Sequence, residues 1–153
     1  MAKIQELTDG NFHWICYVKT IKRLHEEVYS RVQEDATGVY REIDIYVGTK
    51  PGDVLPEDIE ERMAEFVVWL NEWEKKEDIT LVAAEAHLKL ARIHPFEDGN
   101  GRMCRLLVNF LLVRNGLHAV ELDEKFRDDY NGMFDNGDFA NYASQIASLI
   151  NPE

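Results

Sequence analysis

Apolar residues fall at helical spacings along most of the chain. Trp14, Val18, Ile21, His25, Val28 and Val32 recur at intervals of 4, 3, 4, 3 and 4 residues, which puts them on one face and predicts a helix over about 12–32. His25 lies within this apolar seam and reads as a core or boundary histidine. Ile59, Met63, Phe66, Val67 and Leu70 form the buried stripe of a second helix that follows Pro56. Glu57, Asp58, Glu60 and Glu61 crowd its first turns, where the helix dipole favours negative charge. A third helix is expected over about 81–93, with Thr80 as its N-cap. It should stop near His94, because Pro95 disfavours helical geometry in the residue before it. A fourth spans about 101–115, with Gly116 as its stop. Met103, Leu106, Leu107, Val108, Phe110, Leu111, Leu112 and Val113 make it apolar on nearly all sides, so it is expected at the centre of the domain. Two further helices are expected, one using Phe126, Tyr130, Met133 and Phe134, the other Phe139, Tyr142, Ala143, Ile146, Leu149 and Ile150.

One stretch breaks the helical period. Tyr40, Ile43, Ile45, Tyr46 and Val47 are strand formers, and Glu42 and Asp44 alternate with Ile43 and Ile45. Gly48 to Gly52 reads as a turn and Val54-Leu55 as a short returning strand, which predicts a β-hairpin over about 40–55. A lone hairpin is marginal, so it must lie on the helical body. The charged run Glu72 to Asp78 reads as a solvated connection. No repeat or linker divides the 153 residues, which are read as one domain, mainly α.

Composition narrows the possibilities. A formal net charge of −12 opposes any extended polyanion, so nucleic acid is not an expected partner. The apolar fraction of 45% suffices for a real core. Met1 to Thr20 lacks a basic region followed by an apolar run, and the apolar stretch near Leu106–Val113 is too short to span a bilayer. Cys16 and Cys104 suit neither a disulfide framework nor a zinc site. The expected setting is cytoplasmic, with no membrane contact.

The chemistry is concentrated between the third and fourth helices, in His94-Pro95-Phe96-Glu97-Asp98-Gly99-Asn100-Gly101-Arg102-Met103-Cys104-Arg105. Gly99-Asn100-Gly101 leads into a helix N-terminus, where free N–H groups and the dipole favour an anion. The glycines let the backbone approach a ligand closely. Arg102 and Arg105, at i and i+3, project on one side of that helix, and two guanidinium groups suit phosphate oxygens. Positive charge at this end opposes the dipole unless an anion compensates. A single carboxylate beside phosphates, here Asp98, is the usual way to hold Mg²⁺. His94 has the chemistry to take a proton from an attacking hydroxyl. Phe96 reads as an apolar anchor for the loop. Chance assembly of the whole pattern in this chain has a probability on the order of 10⁻⁸.

His94-x-Phe96-x-Asp98-Gly99-Asn100-Gly101-Arg102-x-x-Arg105 resembles the full signature of the Fic family of AMP-transferases, with no departure at a defining position. Doc-type kinases alter the glycine-asparagine-glycine part, which is intact here. Gly38-Val39-Tyr40-Arg41 and the following hairpin resemble the family's flap, and the likeness covers roughly 12–150. The resemblance implies one catalytic domain over 1–153, a Fic/Fido-type helical bundle around a central buried helix with one hairpin flap. It implies transfer of AMP from ATP–Mg²⁺ to a Ser, Thr or Tyr hydroxyl of a protein, with release of pyrophosphate. His94 would be the general base and Asp98 the Mg²⁺ ligand. Gly99, Asn100 and Gly101 would form the anion cradle, with Arg102 on the terminal phosphate and Arg105 supporting. The flap, Ile43, Asp44, Ile45, Tyr46 and Val47, would dock a target segment by strand addition. Tyr130 is the adenine-pocket candidate, and it also fits a core stripe.

Alternatives are another nucleotide or a phosphocholine-type donor, or a catalytically inactive nucleotide-binding module. Many relatives carry an inhibitory Ser/Thr-x-x-x-Glu-Gly/Asn helix. Here the only such start is Ser30-Arg31-Val32-Gln33-Glu34, followed by Asp35, so Glu34 reads as surface. The chain is therefore expected to be uninhibited alone, to be restrained by a separate antitoxin-like protein, or to lack a longer protein's N-terminal region.

Overall fold

The structure, a computed structural model, describes residues 17–29, 38–47, 50–122 and 139–150. Trp14, Val32, the Ser30–Glu34 segment and the helix expected around Phe126 to Phe134, with Tyr130, lie outside them.

Among the described residues the chain forms α1 (Tyr17–Tyr29), a hairpin of β1 (Tyr46–Val47) and β2 (Lys50–Pro51), and a 3-10 turn at Pro56–Asp58. Then come α2 (Ile59–Trp73), α3 (Ile79–Ile93), α4 (Asn100–Arg114) and α5 (Phe139–Ile150). The fold is mainly helical, as the periodicities predict. The stripe Ile59, Met63, Phe66, Val67 and Leu70 of α2 is buried throughout. Each such side chain contributes about 1.5–3 kcal/mol of burial. In α1 the buried set is Thr20, Ile21, Leu24 and His25, while Val28 is 37% exposed. Burial in α1 thus extends past the seam drawn from sequence to Thr20 and Leu24 and leaves Val28 partly exposed.

The centre is shared by two helices. Helix α4 is buried along Met103, Cys104, Leu107, Val108, Phe110, Leu111 and Leu112. Helix α3 packs against α2, α4 and α5. Its buried Ala83, Ala84, Ala86 and Ala91 are small enough to admit close neighbours on several sides.

Helix ends follow capping chemistry. The N-cap of α3 is Asp78 rather than Thr80: its carboxylate accepts the Thr80 N–H at 2.8 Å and the Thr80 hydroxyl at 2.6 Å. These bonds hold the Asp78 carboxyl below its usual pKa. Helix α4 ends in a Schellman motif. Gly116, at φ 82°, donates to the Val113 carbonyl at 3.1 Å, and Leu117 donates to the Leu112 carbonyl at 2.9 Å. The charged run after α2 is only partly solvated. Lys76 and Glu72 pair on the surface at 3.2 Å, but the Glu74 side chain is 7% exposed and meets Arg114 Nε at 3.2 Å and Asn115 Nδ2 at 3.2 Å. Glu74 thereby ties the end of α2 to the end of α4.

The hairpin is shorter than expected. Tyr46 pairs with Pro51 and Val47 with Lys50, antiparallel, and the Gly52 N–H donates to the Ile45 carbonyl at 2.9 Å. The return strand therefore falls inside the stretch read as a turn, and Val54-Leu55 is not a strand. Pro51 has no N–H to offer a ladder, which suits it to this terminal edge position. No helix among the described residues is long and apolar enough to cross a membrane.

Candidate active site

The segment from His94 to Arg105 bridges the C-terminus of α3 and the N-terminus of α4. Helix α3 stops at His94, whose N–H closes the last turn on the Leu90 carbonyl at 2.9 Å. The proline that follows denies His94 the ordinary helical conformation. It adopts φ 50°, ψ 59°, the one non-glycine residue with positive φ among those described. A left-handed non-glycine residue costs on the order of 1 kcal/mol and persists only where its surroundings over-determine it.

Those surroundings take up most of the loop carbonyls. The His94 carbonyl accepts Arg41 Nε–H at 2.7 Å, and the Pro95 carbonyl accepts the Arg41 backbone N–H at 2.8 Å. Phe96 is fully buried; its N–H donates to Asn100 Oδ1 at 3.0 Å and its carbonyl accepts Asn100 Nδ2–H at 2.7 Å. The Asp98 carbonyl accepts His25 Nε2–H at 2.8 Å. The Gly99 carbonyl accepts the Met103 N–H at 3.0 Å, the first bond of α4. Gly99, the N-cap of α4, holds φ 84°, a conformation that costs glycine little.

His25 is a core histidine with a second duty. The Gly38 N–H donates to its Nδ1 at 3.0 Å, so Nδ1 bears the lone pair and Nε2 the proton given to Asp98. Its ring stacks on Phe96 at 3.9 Å between centroids, nearly parallel at 8°. Burial lowers its pKa, which keeps this neutral tautomer.

His94 itself is half-buried. Its Nδ1 lies 3.4 Å from the Ala91 carbonyl, an acceptor, so Nδ1 carries the proton and Nε2 the lone pair. Burial lowers its pKa; the Ala91 contact works against this and Arg41 adds to it. The ring is therefore neutral near pH 7, as a proton acceptor must be.

The cradle residues divide. Asn100 is 4% exposed, and its side-chain amide bonds both the N–H and the carbonyl of Phe96, which holds the loop. Gly101 is exposed, and a Cβ built there would meet only Arg105 Nη1, at 3.5 Å. Nothing else among the described residues fills that space, which suits a phosphate approaching the first turn beside Arg105. Arg102 is exposed and Arg105 half-buried. The Asp98 carboxylate is exposed and accepts the Gly99 N–H at 2.8 Å through Oδ1. Among the described residues no three His, Cys, Asp or Glu side chains cluster to hold a metal. A lone carboxylate fits Mg²⁺ only where phosphate oxygens and water complete its shell.

Two buried neighbours are chemically quiet. Burial, aided by Arg105, depresses His87 to about 3, and burial raises the Cys104 thiol to about 12. The hairpin stands away from this core, with Ile43 51% and Tyr46 72% exposed. Sequence reasoning missed Arg41 and the clamp role of His25. Nothing in their spacing marks them, because both act on backbone carbonyls far along the chain.

A family model described as Fic/DOC family matches residues 14–112. The chain is 39% identical over 114 residues to a protein adenylyltransferase fic-1 of Caenorhabditis briggsae, covering 74% of this chain and 22% of that protein. It is 37% identical over 136 residues to a protein adenylyltransferase Fic of Culex quinquefasciatus, covering 85% of this chain and 27% of that one. The chain thus spans about a quarter of the length of these curated relatives. Among solved structures, a Fic domain containing signaling protein of Bacteroides thetaiotaomicron shares the fold at TM-score 0.78 and 23% identity, over 96% of this chain and 63% of that one. Fic-1 of C. elegans matches at TM-score 0.75 and 27% identity, over 96% of this chain and 44% of that one.

Proposed function

We propose that this chain, which belongs to the Fic/DOC family, is a protein adenylyltransferase that moves AMP from ATP onto a hydroxyl side chain of a target protein. The observation that carries the reading is the pairing of a neutral, half-buried His94, its Nε2 lone pair exposed by the Ala91 contact, with a helix start whose Gly101 leaves room for phosphate beside Arg105. The curated relatives named as adenylyltransferases support it.

In this reading His94 Nε2 takes the proton of the target hydroxyl as its oxygen attacks the α-phosphorus. The bond from that phosphorus to the bridging oxygen breaks, and pyrophosphate leaves. The first-turn N–H groups of α4, with Arg102 and Arg105, hold the phosphates and offset their charge. Asp98 would hold Mg²⁺, which when bound neutralises phosphate charge and assists the leaving group. The hairpin around Ile43 to Val47 would present its edge to the target. Tyr130 keeps its place as adenine candidate on sequence grounds.

The test is incubation of the chain with lysate, Mg²⁺ and ATP labelled at the α-phosphate, beside His94→Ala. Protein labelling by wild type and its loss in a folded His94→Ala are expected. Labelling that survives the substitution removes His94 as the base; labelling from γ-labelled ATP alone makes the chain a kinase.

A further inference from the structure

We propose that Arg41 is a positioning residue for the transfer reaction, setting the backbone of His94 and the stance of the hairpin with one guanidinium group. The inference rests on the adenylyltransferase reading above.

Arg41 is 3% exposed although it carries a full charge. Burying an arginine is costly unless its donors are satisfied. Here four of the five guanidinium N–H groups are bonded, all to main-chain carbonyls. Nε donates to His94 at 2.7 Å, Nη1 to Ile43 at 2.8 Å, and Nη2 to Val54 at 2.6 Å and to Ile93 at 3.4 Å. The backbone N–H of the same residue donates to Pro95 at 2.8 Å.

The acceptors fall into two groups. Ile93, His94 and Pro95 are the end of α3 and the start of the motif loop. Ile43 and Val54 are the two roots of the hairpin, one before β1 and one after β2. Carbonyls at a helix C-terminus have no intrahelical partner. Arg41 supplies partners for Ile93 and His94 in the turn where His94 is left-handed. The same planar fork reaches both hairpin roots. Rotation of the hairpin on the body would therefore drag the fork, and the fork drags the His94 carbonyl. In the proposed reaction one rigid group thus registers the surface that presents the target hydroxyl against the ring that takes its proton. A displacement of about 1 Å between such partners is worth on the order of a hundredfold in rate. Lysine cannot replace this arrangement, since one ammonium on a flexible stem cannot span acceptors on opposite sides.

The test compares wild type with Arg41→Lys and Arg41→Gln in the full chain, after circular dichroism confirms folding. Transfer of label from α-labelled ATP is measured against ATP concentration at saturating lysate. Arg41→Lys is expected to lower apparent kcat on the order of tenfold to a hundredfold, with KM for ATP within about twofold, because the phosphate cradle on α4 is not anchored by Arg41. Unchanged kcat, or kcat and ATP affinity lost together, overturns the proposal. Histidine-ring proton spectra at pH 8 give an answer independent of activity. The His94 resonance should move while those of His87 and His118 stay. If wild type transfers no AMP, the adenylyltransferase reading falls, and an unmoved His94 resonance separately overturns the role of Arg41. If neither variant folds, the wild-type Arg41 Nε–H decides. It should exchange with water as slowly as the His94 amide; exchange at the rate of a surface arginine overturns the proposal.

Discussion

Replacing Asn100 by alanine removes both side-chain bonds that hold Phe96, the accepted N–H at 3.0 Å and the donated bond to the carbonyl at 2.7 Å. Phe96 is 0% exposed and Asn100 4% exposed, so water does not replace them. A stranded buried backbone group costs about 1–3 kcal/mol, so the pair amounts to roughly 2–6 kcal/mol. That is a large share of a domain stability of about 5–15 kcal/mol. With a urea slope of about 2 kcal/mol per molar, the midpoint should fall by roughly 1–3 M. Asn100→Asp sharpens the test. One carboxylate oxygen still accepts from Phe96 N–H, but the other faces the Phe96 carbonyl. Only the protonated form can donate to that carbonyl, so the folded state raises this carboxyl's pKa above its unfolded value. The stabilising bond is then present at low pH and is lost as pH rises through the folded pKa. The deficit of Asn100→Asp relative to wild type should therefore shrink on acidification, whereas that of Asn100→Ala should not. A wild-type urea midpoint for Asn100→Ala, combined with lost ATP binding, would refute the reasoning and return Asn100 to the ligand-facing role read from sequence.

Gly101→Ala should leave the fold intact, since its Cβ meets only Arg105 Nη1 at 3.5 Å and alanine favours a helix over glycine by up to about 1 kcal/mol. Its thermal midpoint should hold or rise while calorimetric ATP–Mg²⁺ affinity falls; unchanged affinity sinks the phosphate approach at this position. Acid should destabilise the chain through buried neutral histidines. His25, His87 and His94 all have folded pKa values below the unfolded 6.5, so the unfolded state binds protons first as pH falls through that value. His87, depressed to about 3, alone accounts for about 2 kcal/mol lost between pH 7 and pH 5. Urea midpoints at the two pH values should differ accordingly, and less so in His87→Gln; a flat pH dependence counters this account.

The helices were legible because burial leaves a period in the sequence. The stripe from Ile59 to Leu70 and the apolar length of α4 are direct imprints of the core, and Pro95 and Gly116 marked helix ends through backbone sterics. The motif was legible because its glycines, arginines and histidine stand close together in the chain. Contacts that close over long separations left no such imprint. His25 reaches Asp98 across 73 positions, and Arg41 reaches His94 across 53. Both bind carbonyls, which every residue carries, so no partner side chain reveals them. Glu74 was read as surface because a charge run looks the same whether or not one member turns inward to Arg114. Asp78 outcompeted Thr80 as a cap because its carboxylate takes both the N–H and the hydroxyl of Thr80 at once.

The choice of main-chain acceptors for Arg41 has a consequence for how such a protein diversifies. A guanidinium gripping Ile43 and Val54 through their carbonyls is indifferent to what side chains those positions bear. The outward residues of the hairpin and its leading root, Tyr46 and Ile43 among them, can be exchanged without loosening that root. Selection, or a designer, is thus free to rewrite the face offered to other proteins while the mounting beneath it stays constant.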